Sequence, residues 1–534
     1  MMEERILQNR LFELGSSSLT KILMLQDRNP HSPTYGCFDR KFWHLRVTDF
    51  PSGMAQEFVL PLALAYAHSF PGNRFEAVPA VREWIRAGID YAARSSHPDG
   101  SCDDYYPFEK ASGAAAFSLY AVLEALKITN IDVQPFLPFL ERRARWLATH
   151  EESGRLSNHE ALIANCLFRF ARMSGQEEFA RHARKRLSRL LTWQHSEEGW
   201  FYEYQGADPG YLTLTIANLA EIDFEWPELN TRDPLRKSIR FLHRLQPPDG
   251  WPGGEWTSRN THNYFPHGLE ICGRWLPEAL QVNDRAIRAL ADPPEYCDDN
   301  ILAHHCWSYL KAGLNWNIKR PATSVTQPAS LPAAGIELVQ QGVWTLLAAT
   351  KKGGSFRLYH GERLIHSDTG VSILCQRGKR TDNYVCHLWS EENRINRNGT
   401  ELTVCGTMGR AKSSQMSPLK NLILRILMLS FGRYKPDLVR AALQRLLITG
   451  RASSPFRFER RLTLTLSSLE VEDRIWGKGI IREAGAGPAQ TSIYTVMSRV
   501  YHSSQLQPWQ DLSASVQGKS GLIFHAVRKI EAPQ

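Results

Sequence analysis

Four loops in the first half of the chain end in glycine after a short polar lead: His97-Pro-Asp-Gly100, His150-Glu-Glu-Ser-Gly154, His195-Ser-Glu-Glu-Gly199 and Gln246-Pro-Pro-Asp-Gly250. Their glycines lie 54, 45 and 51 residues apart. A period of that length holds two helices and their connections, and self-similarity at such a period marks stacked helical hairpins. Before the loops run amphipathic stretches rich in Arg, Ala and Leu: Val81 to Arg94, Phe136 to Thr149, Phe179 to Gln194 and Pro234 to Leu245. After them come stretches that are apolar or small nearly all round: Gly113 to Leu126, Glu160 to Phe170, Tyr211 to Ile222 and His267 to Leu276. Helices without a wide polar face are buried, so the second set is inner and the first outer. This alternation predicts an incomplete (α/α) toroid of about five or six helical hairpins over residues 1–320.

A chain of 534 residues exceeds what one hydrophobic core serves, so a second domain is expected. Residues 321–336 break the helical pattern with prolines and small polar residues and read as a linker. Beyond them the apolar period becomes alternating, as in Ser355 to His360, Arg394 to Asn398 and Leu469 to Trp476, which predicts strands. Helices followed by strands give an α+β multidomain chain, with an antiparallel β-sandwich over residues 337–534. A helical insert interrupts it at about 416–447. There Met416 to Ser430 and Lys435 to Leu447 are apolar and carry Lys420, Arg425, Arg433, Lys435, Arg440 and Arg445. Such helices usually cover a sheet edge, and they also suit a membrane surface or a membrane-associated partner.

Charge divides at the same boundary. From Pro321 onward Lys and Arg number 28 against 15 Asp and Glu; taken from totals of 64 and 55, this leaves 36 against 40 before it. The second domain is therefore basic and suited to an anionic partner. No zinc-finger spacing, RNP-like strand pair or Gly-rich KH loop occurs, so nucleic acid is not expected. The nine cysteines show no CxxC and there is no HExxH, so neither metal nor cofactor is expected. Met1 to Leu25 places acids and bases ahead of any apolar stretch, which with the odd cysteine count leads to an expected cytoplasmic location.

In an α/α toroid the loops entering the inner helices open on one end, so the residues following each repeat glycine meet although about fifty apart. These segments are Asp103 to Lys110, Arg155 to His159, Trp200 to Tyr211 and Glu255 to His267. They supply aromatic faces for sugar rings, amides for hydroxyls and an arginine for a carboxylate. That is the composition of a cleft for an acidic polysaccharide or oligosaccharide. Asn158 as a plain helix N-cap and Tyr211 as a plain core tyrosine are the structural alternatives.

At these residues the chain resembles the heparinase II/III-like and alginate-type polysaccharide lyases. Asn158-His159 at the start of an inner helix is similar to that family's Asn-His pair, and Tyr211 to its catalytic tyrosine. Ser367-Asp-Thr-Gly370 is similar to the turn that opens its sheet domain. Leu212 and Ser157 stand where the family often has His and Asn. The resemblance implies a toroid joined to a β-sandwich and β-elimination from a uronic acid. Asn158, helped by Arg259, would clamp the carboxylate, and Tyr211 and His159 would transfer protons. His262, Tyr264 and His267 would be partners on the second face, with Trp200, Tyr204 and Asn260 completing the substrate surface. Two other classes compete. One is a non-catalytic glycan-binding or assembly protein of bacterial surface-polysaccharide production. The other is a terpenoid-cyclase-like toroid, for which only Asp103-Asp104 and Asp298-Asp299 offer an acidic run.

Overall fold

A computed structural model describes residues 2–532 apart from 153, 292, 294, 297–298, 379, 412–415, 445–453, 488–499 and 504–505. Arg445, the end of the second insert helix and Asp298 lie outside the described residues. Helices α1 (Met2–Ser17), α2 (Leu19–Leu25) and α3 (Arg40–Trp43) precede α4 (Val59–Ala67). Outer and inner helices then alternate: α5 (Pro79–Arg94), α6 (Ser112–Thr129), α7 (Leu137–Thr149), α8 (Ser157–Ser174), α9 (Glu177–Leu191), α10 (Pro209–Glu225), α11 (Arg232–Leu245), α12 (His267–Cys272), α13 (Pro277–Ala289) and α14 (Asp299–Leu314). The patterning explains the layers. Inner α6 is buried from Ser112 through Leu126 and α10 from Pro209 through Asp223, whereas outer α5 buries one stripe through Val81, Ile85, Ile89 and Ala92.

Successive inner helices pack side by side from α4 to α14, and α14 also packs against α4. The outer partner of α14 is α1, joined to it by Gln8 Nε2 donating to the Gly313 carbonyl at 3.0 Å. Among the described residues the toroid has six pairs, in line with the five or six expected, and its inner layer returns on itself; the sixth outer helix, α1, lies ahead of the glycine repeat and carries none of its signals.

The repeat glycines have one structural job. Gly100, Gly154, Gly199 and Gly250 all have φ between 76° and 91°, the region that L side chains rarely adopt. At Gly100, Gly199 and Gly250 a Cβ would also strike the backbone of the next outer helix, at Arg143, Lys237 and Arg285. Buried arginines on those outer helices receive the loop carbonyls. Arg143 Nε donates to the Gly100 carbonyl at 3.0 Å, and Arg285 Nη2 donates to the Pro247 and Pro248 carbonyls at 2.8 and 2.9 Å.

The centre of the ring is polar. Glu124, Arg169, Glu221 and Lys311, from α6, α8, α10 and α14, form one buried ion cluster. Arg169 bridges Glu124 at 2.5 Å and Glu221 at 2.9 Å, while Tyr120 and Asn165 donate to Glu221 at 2.8 Å. A terpenoid-cyclase-like toroid requires an apolar lumen, and this cluster occupies the middle of the inner layer. Asp103 meanwhile braces its own loop, accepting from the backbone of Phe108 at 2.7 Å and Lys110 at 3.1 Å.

Among the described residues the second domain holds three five-stranded antiparallel sheets. The first is a meander of Ala329–Leu331, Ile336–Gln341, Trp344–Ala349, Ser355–His360 and Arg363–Asp368. Strict alternation gives it two apolar faces. Leu347 and Ala349 join the helical core, while Leu346 and Ala348 join the core shared by the other two sheets. Behind it, Arg460 bridges Asp368 at 3.0 Å and Asp473 at 2.7 Å, with all three side chains buried. The insert forms α15 (Pro418–Leu429) and α16 (Pro436–Gln444). Its side chains reach the toroid: Arg425 pairs with Asp49 at 2.6 Å, and Arg433 lies 5.1 Å from the Phe108 ring.

Candidate functional site

Three of the four post-glycine segments converge on one buried carboxylate. Tyr202–Glu203 and Gly206–Ala207 pair as a tight antiparallel hairpin with Tyr204 at its turn, held at φ 58°. That geometry points Glu203 inward, where it is 2 % exposed. Asn158 Nδ2, in the first turn of α8, donates to Glu203 Oε1 at 2.7 Å, and Arg259 Nη1 donates to the same oxygen at 2.8 Å. Asn158 is therefore not an N-cap: its amide turns from the helix to the hairpin. Its Oδ1 is buried with no hydrogen-bond partner among the described residues. Burial pushes the Glu203 carboxyl up, against the opposing pull of Arg259 and Asn158.

The two tyrosines flank the arginine. The Arg259 guanidinium lies 4.3 Å from the Tyr211 ring centre and 4.8 Å from that of Tyr204. Tyr211 enters in the first turn of α10, where the Asp208 cap accepts its backbone N–H at 3.0 Å. Asp208 also accepts from Thr261 Oγ1 at 2.8 Å and from the Arg259 backbone at 3.2 Å, so one carboxylate orders both the tyrosine and the arginine loop. Burial raises the Tyr204 hydroxyl to about 12.

His159, next to Asn158, lies on the wetter side, with 22 % of its side chain exposed. Its Nδ1 is 2.8 Å from Glu152 Oε2. Burial alone would push Glu152 up, but His159 and Arg440 outweigh it and hold the carboxyl at about 2. An ionised Glu152 accepts a hydrogen bond from Nδ1–H, which leaves the Nε2 lone pair available. Gly113 at the start of α6 makes room for this imidazole, since a Cβ there would lie 2.8 Å from the ring.

Second-domain residues complete the wall, and the sequence patterns gave no sign of them. Lys352 Nζ donates to the carbonyls of Glu255 at 2.7 Å and Thr257 at 2.6 Å and to Asn260 Oδ1, holding the arginine loop from the far side. Burial pushes its ammonium down to about 7. Trp389 packs so closely on the hairpin that a Cβ at Gly206 would meet its ring at 2.3 Å. Two residues before it, His387 is buried with neither ring nitrogen hydrogen-bonded among the described residues. From the insert, Arg440 reaches Glu109 at 3.1 Å and Glu152 at 3.4 Å. Glu152 and Glu203 lie inside segments the repeat singled out, but only their partners show what they do. Nothing in the periodicity brings Arg440, Lys352 or His387 to this end of the toroid.

The remaining residues singled out in the sequence have partners elsewhere. Trp200 donates to Glu198 at 2.9 Å, and Tyr264 pairs with Asn283. His262 accepts from Trp251 at 3.1 Å and stacks on His502. His267 bonds Ser308 at 2.8 Å beside the axial ion cluster. All four are at most 2 % exposed, and their recorded contacts are those of packed interior groups. Asn260 positions Lys352 through its side chain and sits at φ 56°.

The fold defines the class of molecule the chain resembles: a helical toroid joined to antiparallel sheets, the architecture of polysaccharide lyases. A chondroitin AC lyase of Streptomyces coelicolor A3, solved with chondroitin sulphate, superposes with a TM-score of 0.54 at 10 % identity, covering 98 % of this chain and 79 % of that one. A Paenibacillus xanthan lyase superposes with a TM-score of 0.52 at 10 % identity, covering 91 % of this chain; the chain spans 47 % of that enzyme's length. At such identity the likeness is one of fold. No protein-family model matches the sequence, and no curated protein matches it.

Proposed function

We propose that the chain is a lyase that cleaves a uronate-containing polysaccharide by β-elimination. The observation that carries this reading is the meeting of Asn158, Glu203 and Arg259 around one buried oxygen, with Tyr211 against the arginine. Removing a proton beside a carboxylate adds charge to an existing anion, so donors must be in place where that charge develops. Asn158 and Arg259 are such donors. Burial raises the Glu203 carboxyl toward its neutral form, which lessens its repulsion of a uronate carboxylate. His159, oriented by Glu152, and Tyr211 are the proton-transfer pair. One takes the C5 proton, the electron pair forms the C4–C5 double bond, the C4–O bond breaks, and the other protonates the departing oxygen. His387, buried with neither ring nitrogen hydrogen-bonded among the described residues, is a second-domain imidazole that a sugar hydroxyl would satisfy.

A second reading, a glycan-binding protein without catalysis, is favoured by Arg440. It engages Glu109 and Glu152, so the insert reaches the approach to His159. The test is near-ultraviolet absorbance of unsaturated uronate when the purified protein meets a panel of acidic polysaccharides. Absorbance that disappears in Tyr211→Phe supports the lyase. Retained glycan binding with no absorbance from any polysaccharide supports the binding protein.

A further inference from the structure

The insert hairpin presents to solvent what the rest of the molecule hides. On α15, Leu419, Leu422, Ile423, Ile426 and Leu429 are all at least 56 % exposed, and Met428 is the only buried residue of that helix. Phe431 and Tyr434 continue the exposed apolar surface past the end of α15, at 55 % and 73 %. A monomer rarely leaves so many large apolar side chains contiguous in water. The charge around them has one sign. Residues 416–444 contain five bases and the single acid Asp437, and α15 itself contains no acid.

Two of those bases fasten the hairpin to the body by ion pairs, Arg425 through Asp49 and Arg440 through Glu109 and Glu152, and Arg433 lies over the Phe108 ring. Lys420, Arg433 and Lys435 are exposed beside the apolar surface. Twelve residues of α15 make a rod of roughly 18 Å, too short to span a bilayer and suited to lie in its headgroup region. Apolar side chains flanked by bases and closed by two aromatics match the interface of an anionic leaflet.

We propose that α15 and the turn after it dock this protein on an anionic membrane surface. The apolar side chains enter the headgroup boundary and the bases face the lipid phosphates. A neutral apolar partner would not require the one-sided charge. The proposal is independent of the lyase reading, because it concerns the outer side of the hairpin and its readout is binding.

The test uses the full chain in co-sedimentation with vesicles of phosphatidylglycerol and phosphatidylcholine, against phosphatidylcholine alone. Partition onto the anionic vesicles should be about tenfold stronger and should fall with added salt. Leu422→Ser, Ile423→Ser and Ile426→Ser combined should abolish it while leaving the circular dichroism and Tm unchanged, since these side chains stand in solvent. Lys420→Gln, Arg433→Gln and Lys435→Gln combined should remove the preference for anionic lipid and spare folding. Equal partition onto both vesicles, no partition, or partition unaffected by the triple serine variant would overturn the proposal. So would a wild-type dimer that ignores vesicles and becomes monomeric in the serine variant, because the surface would then belong to a second copy of the chain.

Discussion

Two buried charged clusters sit in the same toroid and differ in one respect, saturation. On the axis, each Glu221 oxygen has several donors: Oε1 receives Lys311 and Tyr120, and Oε2 receives Asn165, Arg169 and Tyr120. At the open end, Glu203 Oε1 is paired, but Asn158 Oδ1 is orphaned and His159 is partly exposed beside its carboxylate. A saturated network in low dielectric holds helices together and offers an incoming molecule nothing. An unsaturated one carries a desolvation cost that a ligand can relieve. The comparison teaches where to look in this fold: at the polar group the fold leaves incomplete.

The contrast can be broken most severely at Tyr211. Tyr211→Phe should lower the elimination rate by about 10²–10⁴-fold if the hydroxyl transfers a proton, with the unfolding midpoint unchanged. Next, Lys311→Met leaves Glu124 and Glu221 without one cation. It should cost about 3–5 kcal/mol in denaturant unfolding, the usual consequence of stranding buried charge. A neutral result would show that the axial cluster is not what ties the inner helices together.

Asn158→Ala sharpens the same contrast from the other side. It should slow elimination by about 10²–10³-fold and cost about 1–3 kcal/mol of stability, because it removes one donor from the buried Glu203 carboxylate. A large stability loss with full activity would move Asn158 into the structural set. The smallest effect concerns pH. Glu152 has its carboxyl held at about 2 in the folded chain against an ordinary 4.5. Its contribution is thus present above about 4.5 and lost as pH falls toward 2. The unfolding midpoint of Glu152→Gln should therefore fall less than that of wild type across that window, and identical slopes would remove the Glu152–His159 link.

Sequence periodicity made the toroid legible because four hairpins repeat a positive-φ glycine, three of them where the loop meets the next outer helix. It left α1 unassigned because that helix pairs with a segment nearly three hundred residues away. Alternation marked strands such as Ser355–His360, but not Ile336–Gln341, where Glu337 is itself buried and the pattern is lost. Asn158, Arg259 and Tyr211 were visible as unusual polar residues at equivalent places in the repeat. Trp200, Tyr264 and His267 look the same in sequence, and only their partners Glu198, Asn283 and Ser308 show that the interior uses them. Arg440 and Lys352 arrive from another domain, and no local pattern encodes that arrival.

The pairing of α1 with α14 has a consequence for biosynthesis. Residues Leu7, Leu11 and Phe12 of α1 are buried in the finished molecule, and Gly313 packs so tightly on Phe12 that a Cβ there would come within 2.6 Å. At about 5–20 residues per second the ribosome takes roughly 15–60 s to make the intervening chain. Throughout that interval α1 lacks its main partner, although Phe70, whose ring stacks on Phe12 at 5.0 Å, is made early. The α1–α14 contact is therefore among the last the toroid can form, and part of the α1 stripe stays uncovered until α14 has been made.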